Sequence, residues 1–237
     1  MIAIVDADII CYRIAFACAD ETEDIAKHRL DSYIVDILMC GVDKIPDCFV
    51  DCWSLHLTGS TNFRKDVAVT AVYKGNRADT PKPAHLAALR HHLISSWGAV
   101  VSDNEEADDA VAIEATTHGE DSVIVSLDKD LDQVRGWHYN FVKQVPYYVT
   151  AEEATFNFYS QLLTGDATDN IIGLRGIGPV KAKKLLLDSV DEYDMYQRCV
   201  AAYEGNEARV LENAHLLFLR RYKGQTWTPP QKSKQTT

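Results

Sequence analysis

The residues of this sequence that are best suited to chemistry are aspartates and glutamates, which gather in four short stretches. So many carboxylates at one place would repel each other, and buried ones would take up protons unless cations neutralised them. Hard oxygen ligands of this kind select Mg²⁺, with Mn²⁺ as a substitute. Two such ions about 3.5–4 Å apart can activate water and stabilise a leaving oxygen in phosphodiester hydrolysis. The clusters therefore predict a metal-dependent phosphoryl-transfer site. The four stretches contain Asp6 and Asp8, then Glu105, Glu106, Asp108 and Asp109, then Asp128, Asp130 and Asp132, and finally Asp166 and Asp169.

The spacing within two of these stretches predicts how their acids are oriented. Glu106 and Asp109 are three residues apart, so they would point into one pocket if their stretch were helical. The same holds for Asp166 and Asp169. Acids are also typical of a helix amino terminus, where negative charge is stabilising without any metal. For the stretch EEADD alone, both interpretations stay open.

Two other motif interpretations compete for the acids. The segment DKDLDQ begins like a calcium-binding loop, but Gln133 stands where glycine is needed and Tyr139 where glutamate is needed, which excludes that loop. The opening VDADII, with a later GDxxD, also fits a phosphatase of the haloacid-dehalogenase type, in which Asp6 would attack phosphorus and Asp8 would act as acid. That alternative leaves EADD and the glycine-rich turn that follows the last acidic pair without a role.

The glycine-rich turn, GLRGIGPVKAKKLL, begins at residue 173. Its Pro179 suits the first position of a helix, and lysines occupy the following turns. The letters G-I-G-P-x-K-A match the helix-hairpin-helix pattern, in which backbone N–H groups and a helix amino terminus hold a DNA phosphate without reading bases. The predicted DNA-contacting residues of this turn are Gly176, Gly178, Lys181, Lys183 and Lys184.

The acidic clusters must be positioned by strands and helices that alternate along the chain. Apolar runs predict strands at 2–5, 47–57, 99–101 and 122–127, and the segment HLAALRHHLISSW predicts a helix at 85–97. Such alternation is typical of a parallel α/β sheet, whose functional crevice lies at the carboxyl ends of the strands. Asp6 and Asp128 each follow a strand, so we expect them to meet although they are distant in sequence.

The sequence changes character after residue 150. Helical patterns cover 151–163, 179–187, 191–204 and 206–221, and we identify no convincing strand there. We therefore predict an α/β domain over 1–150, a helical DNA-binding region over 151–225, and a disordered polar tail over 226–237.

Composition narrows the class of protein. The chain has 237 residues, no uninterrupted apolar run of the roughly 20 residues that a membrane span needs, and no basic leader before its first apolar run. We expect a cytoplasmic protein without a membrane partner. The net charge of -11 would oppose nucleic-acid binding, but it is unevenly distributed: residues 100–132 are strongly acidic, whereas 61–90 and 171–187 are basic.

Taken together, the motifs resemble the 5′-nuclease family, which comprises flap endonucleases, the 5′-exonuclease domain of bacterial DNA polymerase I and bacteriophage 5′-to-3′ exonucleases. Seven motifs occur in the family's order over residues 1 to about 190: IVDADIICYR, NFRKDV, YKGNR, EADD, SLDKDLDQ, TGDATDN and GIGPVKAKKLL. The length and the motifs NFRKDV and YKGNR look most like the bacteriophage members.

The resemblance implies a PIN-like nuclease fold, followed by a helical three-turn DNA-binding segment, and a divalent-metal-dependent 5′-to-3′ exonuclease or flap endonuclease. It leaves room for a K⁺ ion at the hairpin. It also implies that two divalent ions are held by the acids at the family's motif positions, which are Asp6, Glu106, Asp108, Asp109, Asp128, Asp130, Asp166 and Asp169. Lys74 and Arg77 would be catalytic, whereas Arg13 and Arg64 would contact DNA and Tyr73 would stack on a terminal base. The implied substrate is DNA with a 5′ end, nick or flap, with RNA in RNA/DNA hybrids as an extension. A monomeric enzyme that works with replication proteins in primer removal would fit.

One departure from the family pattern concerns the second strand. Many members have an aspartate at its end, whereas LHLTGSTNFR offers His56, Thr58 and Ser60 there. We expect the change to affect metal affinity rather than the class of reaction. Two other functions remain as alternatives: a non-catalytic DNA-binding protein of the same fold, and a PIN-type ribonuclease, a group that generally lacks the hairpin.

Overall fold

A six-stranded sheet forms the centre of the first half of the protein. The computed structural model describes residues 1–41, 44–45, 49–77 and 80–232. Within them the strand order is β3-β2-β1-β4-β5-β6, and only the β5–β6 pair is antiparallel. The strands are β1 Ile2–Asp6, β2 Cys52–Leu57, β3 Val100–Val101, β4 Ser122–Val125, β5 Gly136–Asn140 and β6 Val145–Val149. The predicted α/β class, a mostly parallel sheet flanked by helices, is confirmed.

Helices cover both faces of this sheet and form most of the second half. The first half contains α1 Ala7–Ala17, α2 Glu23–Asp36, α3 Arg64–Val67, α4 Leu86–Trp97 and α5 Ala107–His118. The second half contains α6 Ala151–Thr164, α7 Pro179–Leu186, α8 Glu192–Ala202 and α9 Glu207–Leu217. Between α6 and α7 lies a short hairpin of β7 Gly165–Asp166 and β8 Ile171–Ile172.

The structure differs from the predicted elements at several places. The hairpin β5–β6 was not predicted, because GWHYN and VPYYV mix aromatic and polar residues without a clean alternation. The second half does contain strands, although β7 and β8 have only two residues each. Helix α9 ends at Leu217 rather than at 221. The predicted strand 47–57 is a strand at Cys52–Leu57, and its residues 47 and 48 lie outside the described ranges.

Apolar side chains form three buried clusters. The largest lies between the sheet and α1, α2 and α4, and a smaller one lies between the sheet's other face and α5. The third lies among the helices α6, α7, α8 and α9. Two residues connect the halves of the chain, because Tyr73 belongs to the helical cluster and Leu219 belongs to the cluster beneath the sheet. The first 150 residues and the helical region are therefore packed into each other.

The tail prediction is wrong at its start. Trp227 is only 6% exposed and packs in the helical cluster, and its carbonyl lies 3.0 Å from Nε2 of His215. A single large apolar residue beside polar ones was too weak a signal to predict this packing. Residues 233–237 lie outside the described ranges. Among the helices of the described part, none is both long enough and apolar enough to cross a bilayer.

Candidate active site

Two aspartates meet at the carboxyl ends of neighbouring strands. Strands β1 and β4 are parallel partners, with Val5 opposite Val125, so that the residues following them lie at one edge of the sheet. Asp6 is 2% exposed and accepts a hydrogen bond of 2.9 Å from the Ser126 hydroxyl. The Asp128 carboxylate accepts a hydrogen bond of 2.9 Å from the backbone amide of Asp130. It thereby caps the short helical turn that carries Asp130.

The first turn of α5 brings further acids to the same edge. Glu106 precedes the helix in an extended conformation, and its side chain and that of Asp109 cap each other's backbone amides. Asp108 lies between them in the first helical turn. The capping box explains why a helix begins here, and it holds the side chains of Glu106 and Asp109.

Burial and mutual repulsion shift the pKa values of the edge carboxyls. Burial raises the pKa of Asp6 to about 7, and the charges of Asp8 and Asp128 add to the effect. Burial also raises the pKa of Asp130 to about 7, with Asp128 contributing. The pKa of Asp108 lies well above its usual value because of burial and the charges of Asp6 and Asp128. Carboxylates crowded in this way favour a compensating cation.

The acids open onto a cavity of about 430 Å³ at this edge. Lys74 and Arg77, the two predicted catalytic cations, lie on its wall. Five of the eight predicted metal ligands line it: Asp108, Asp128, Asp130, Asp166 and Asp169. The structure therefore brings most of the predicted site together from four separate stretches of sequence.

The cations on the wall are paired with acids. The Lys74 ammonium lies 2.5 Å from Oε1 of Glu106 and 3.4 Å from Oδ2 of Asp169. Burial by itself would lower the pKa of Lys74, but these two carboxylates raise it, so the side chain stays charged. Arg77 makes an ion pair of 2.9 Å with Oδ1 of Asp169. Asp169 therefore holds both cations at the cavity, and Glu106 also holds Lys74.

The loop at 73–77 and the turn at 166–170 are interlocked. Lys74, whose φ of 54° is unusual for a residue with a side chain, donates its amide to the carbonyl of Asp169 at 2.9 Å. The Asn76 amide group and the Arg77 guanidinium donate to the carbonyls of Ala167 and Thr168 at 2.8 and 2.9 Å. These bonds fix the cations relative to the acids by backbone contacts as well as by charge.

Arg64 and Asp109 do not occupy the places predicted for them. Arg64 is 2% exposed, and its guanidinium makes two bonds of 2.5 and 3.0 Å with the carboxylate of Asp109, which is 0% exposed. It also donates to the carbonyls of Leu216 and Phe218. The pKa of Asp109 is lowered, because Arg64 outweighs the effect of burial. The structure therefore corrects both predictions: this pair is an internal anchor for α5, since position N3 of the helix points inward.

Tyr73 also differs from its predicted role in base stacking. Its ring is 6% exposed and packs in the helical cluster, and its hydroxyl lies 2.7 Å from oxygens of both Glu106 and Asp169. The ring has no free face for a base. Arg13, in contrast, is exposed on α1, with its guanidinium 5.9 Å from the centre of the Tyr33 ring.

Asp166 and Asp169 do not lie on a helix, so their three-residue spacing does not by itself place them on one face. Asp166 belongs to β7, and Asp169 lies in the turn that leads to β8. The backbone crosses itself here, because a Cβ atom on Gly173 would lie 2.3 Å from the amide nitrogen of Gly165. Only glycine permits this approach, so the crossing forces the chain out of α6 and into a hairpin.

The glycine-rich turn is exposed and precedes α7, as predicted. Gly176 has a φ of 77°, which favours glycine, and its carbonyl accepts a bond of 2.8 Å from the Lys181 ammonium. Gly178 precedes Pro179 at the start of the helix. Lys183 and Lys184 are exposed on the helix that follows.

The chemistry of the acidic edge fits divalent metal ions, although the side chains are not yet arranged around one. In the described part of the chain, no three His, Cys, Asp or Glu side chains are grouped so that they could hold a single ion. Lys74 engages two of the acids instead. Burial, together with neighbouring carboxylates, raises the pKa values of Asp6, Asp108 and Asp130, and a bound cation would favour their charged forms.

Several residues that support the site gave no signal in the sequence. Gln161 on α6 donates to Asp130 from 31 positions away, and Arg90 on α4 pairs with Asp8. The residues that stand in place of a second-strand aspartate are used elsewhere: His56 lies 2.5 Å from Glu114, and the Thr58 hydroxyl accepts from the amide of Ala107. Such partners depend on tertiary contacts, which a single sequence does not show.

Comparisons with known proteins agree on the fold. No protein-family model matches the chain. A crystal structure of the bacteriophage T5 D15 protein with metal ions is similar with a TM-score of 0.72 and 15% identity, covering 91% of this chain and 88% of that one. The T5 D15 flap endonuclease in a complex with DNA and metal ions is similar with a TM-score of 0.69 and 16% identity, and it also covers 91% of this chain and 88% of that one.

A second group of similar structures comes from Rad2. The catalytic core of Rad2 with DNA substrate has a TM-score of 0.54 and 17% identity, covering 87% of this chain and 67% of that one. The resemblance first seen in the motifs is thereby confirmed for the fold: this chain has the PIN-like α/β fold of the flap endonuclease and 5′-exonuclease structures.

Proposed function

We propose that this protein is a divalent-metal-dependent nuclease that hydrolyses phosphodiester bonds in DNA near a 5′ end or a 5′ flap. One observation carries the proposal: acids from three sequence stretches, Asp108, Asp128 with Asp130, and Asp166 with Asp169, line one cavity together with Lys74 and Arg77. Carboxylates beside cations in an open cavity suit a phosphate that must be bound and attacked at the same place.

The fold supports the same reaction. The similar T5 D15 structures hold metal ions, and one of them also holds DNA. The Rad2 core was likewise determined with DNA substrate. Because this chain shares that fold and carries acids at its strand ends, DNA and divalent ions are the ligands that we propose for it.

The proposed metal ligands are the acids that line or border the cavity. Two Mg²⁺ ions, with Mn²⁺ as a substitute, would supply the Lewis acidity that phosphodiester hydrolysis requires. Asp109 is excluded from this set by its ion pair with Arg64. The remaining ligands are Asp6, Glu106, Asp108, Asp128, Asp130, Asp166 and Asp169.

Lys74 and Arg77 would bind the oxygens of the scissile phosphate. Both line the cavity, and both are tied through the 73–77 loop to the backbone of the 166–170 turn. An ammonium and a guanidinium at this place neutralise charge on a phosphate without moving far, since their backbone is already fixed. Tyr73 would hold Glu106 in position rather than stack on a base.

The duplex would be held on the surface of the helical region. The Gly176–Gly178 turn, the amino terminus of α7 and the exposed lysines Lys181, Lys183 and Lys184 form the proposed contact with backbone phosphates. A K⁺ ion bound by the turn is part of the proposal, and Arg13 on α1 would contact the strand near the cavity.

The finer features of the proposal come from the family resemblance. They are activity on RNA in RNA/DNA hybrids, a role in replication or primer removal with replication proteins, a monomeric state and a cytoplasmic location.

The decisive experiment is cleavage of 5′-labelled flap, nicked and blunt duplexes, with Mg²⁺ and with a chelator. We expect Mg²⁺-dependent cleavage, a loss of at least about 100-fold in Asp128→Ala, and wild-type rates in Asp24→Ala, an exposed aspartate on α2. A protein that binds these DNAs but cleaves none of them in Mg²⁺ would instead be a non-catalytic DNA-binding protein. Cleavage of single-stranded RNA alone would favour a ribonuclease.

A further inference from the structure

A chain of hydrogen bonds connects the carboxyl end of α9 to Asp130 at the acidic edge. The Nε2 group of Gln133 donates to the carbonyl of Leu217 at 2.9 Å and to Oε1 of Gln161 at 2.6 Å. The Nε2 group of Gln161 in turn donates to Oδ1 of Asp130. Two glutamine side chains therefore link a backbone carbonyl of the helical region to one of the proposed metal ligands.

The surroundings of Gln133 fix the orientation of both glutamine amides. Gln133 is 2% exposed, and its Oε1 accepts a bond of 3.4 Å from the backbone amide of Leu219. Turning this amide over would set its oxygen against the Leu217 carbonyl and its NH₂ group against the Leu219 amide, so that neither bond could form. With Gln133 fixed, Gln161 must direct its own oxygen to Gln133 and its NH₂ group to Asp130.

Gln161 reaches Asp130 because α6 lies along the short helical turn Lys129–Gln133. Asn157, one helical turn before Gln161 on α6, donates to the backbone carbonyl of Asp132 at 3.0 Å. Residues four apart share one face of a helix, so both contacts come from the same side of α6. This face holds the turn by its backbone and also by the side chain of Asp130.

The bond from Gln161 occupies one of the two carboxylate oxygens of Asp130. Within the described part of the chain, no other group donates to this carboxylate, so Oδ2 is the oxygen that remains for a cation. Asp128 and Asp166 follow the same pattern, since Oδ1 of each accepts from the backbone amide two residues further on, at 2.9 and 2.7 Å. Asp130 differs from them because its donor is a side chain, which a substitution can remove.

A carboxylate that has one oxygen engaged suits some divalent ions better than others. Mg²⁺ requires a compact octahedral set of ligands and usually keeps several waters, whereas Ca²⁺ accepts more oxygens, including carboxylates that bind through both of theirs. A carboxylate that offers one oxygen therefore suits Mg²⁺, and one that offers two suits Ca²⁺. Hydrogen-bonding partners of metal ligands are known to affect metal affinity in this way.

We infer that Gln161 is a positioning residue that keeps Asp130 a one-oxygen ligand and thereby favours Mg²⁺ over Ca²⁺ at the acidic edge. Gln133 supports this role because it fixes the orientation of the Gln161 amide. Since Asp130 is taken to be a metal ligand, the role of Gln161 rests on the proposed function. It adds to that function a determinant of which metal is bound.

Competition with Mn²⁺ tests this role without DNA and without turnover. Electron paramagnetic resonance measures free Mn²⁺ while Mg²⁺ or Ca²⁺ is added to the Mn²⁺-loaded protein. The quantity compared is the Ca²⁺ concentration that releases half of the bound Mn²⁺, divided by the Mg²⁺ concentration that does the same. Gln161→Met keeps the length of the side chain but removes the donor, and it should lower this ratio by about tenfold. Gln197→Met, at an exposed glutamine of α8, should leave the ratio unchanged.

Gln161→Glu is a second variant, which also serves if Gln161→Met does not fold. It keeps an oxygen to which Gln133 can donate, but it places an acceptor beside Asp130, so the ratio should fall at least as far. A ratio that stays at the wild-type value in a folded variant would overturn the inference. That outcome includes an equal loss of affinity for Mg²⁺ and Ca²⁺, which would mean that Gln161 supports the fold without selecting the metal.

The same measurements separate this inference from the proposed function. A wild-type protein that binds no Mn²⁺ would refute both. Mn²⁺ binding with a ratio that neither variant at Gln161 changes would refute the selectivity alone and leave the nuclease proposal intact. A ratio that falls as expected, in a protein that cleaves no DNA in Mg²⁺, would keep the role of Gln161 and refute the nuclease.

Discussion

The guanidinium of Arg64 and the carboxylate of Asp109 form a two-point ion pair in the interior, with N–O distances of 2.5 and 3.0 Å. This pair holds the first turn of α5 against the carbonyls of Leu216 and Phe218, which lie at the carboxyl end of α9. The acids beside Asp109 are therefore positioned by a contact that spans the two halves of the chain.

The ion pair predicts a distinctive pattern of stability. Asp109→Leu or Arg64→Met alone leaves a buried charge without its partner and should lower the free energy of unfolding by about 3–5 kcal/mol. The double variant removes both charges and should lose less than the sum of the two single losses. Urea denaturation of the four proteins measures this. Strict additivity would show that the two side chains do not depend on each other.

Lys74 predicts a loss of activity that is separable from DNA binding. Lys74→Met should reduce single-turnover cleavage by about 100-fold or more, because a preorganised charge at the phosphate is removed. DNA affinity should change little, since Lys181, Lys183 and Lys184 are untouched. The matched control is Lys65→Met on α3, whose ammonium is exposed. A Lys74→Met protein that cleaves at the wild-type rate would remove Lys74 from the proposed mechanism.

The raised pKa values predict how stability depends on pH. The pKa values of Asp6 and Asp130 are about 7 in the folded protein, above their ordinary range, so the folded state binds more protons than the unfolded state between about pH 4 and 7. In a chelator, the contribution of these groups is complete at low pH and is lost as the pH rises through 7. Calorimetry should therefore show a higher melting temperature at pH 5.5 than at pH 8.

Magnesium should reverse that trend at pH 8. Ions bound by the ionised carboxylates stabilise the folded state, so added Mg²⁺ should raise the melting temperature at pH 8 more than at pH 5.5. Asp130→Asn is the control, because it removes one titrating group and should flatten the dependence seen in chelator. An unchanged pH profile in that variant would show that Asp130 does not titrate in this range.

The backbone crossing predicts that two glycines respond differently to the same substitution. Gly173→Ala would place a Cβ atom 2.2 Å from the Thr164 carbonyl carbon, whereas a Cβ at Gly178 meets nothing within 4 Å. We expect Gly173→Ala to lower the melting temperature strongly and to displace Asp166 and Asp169, with a loss of cleavage. Gly178→Ala should melt close to the wild type. Similar melting of both variants would mean that the hairpin tolerates a wider crossing.

The sequence predicted the parts of this structure that depend on local pattern. β1 and β4 are continuous apolar runs followed by acids, so the meeting of Asp6 and Asp128 follows from parallel topology alone. Pro179 after two glycines likewise marked the start of α7. In both places the residue types and the backbone conformation agree.

Sequence reasoning failed where tertiary contacts decide. Residues three apart suggested a shared face for Glu106 and Asp109, but the first precedes the helix and the second turns inward to Arg64. Asp166 and Asp169 have the same spacing but lie in a hairpin, because the backbone of Gly173 passes close to that of Gly165. The inward arginine of NFRKDV looks like any basic surface residue until its partners on α5 and beyond α9 are known.

The carbonyls of Leu216 and Phe218 that hold Arg64 follow every candidate metal ligand in the sequence. During synthesis the acidic edge would therefore leave the ribosome long before its anchor is complete. In a nascent chain that lacks this segment, the Arg64 guanidinium has Asp109 but not the two carbonyls that complete its hydrogen bonds. The proposed nuclease would then become active only after the helical region has left the ribosome. Chains still bound to the ribosome would not cleave nearby nucleic acids.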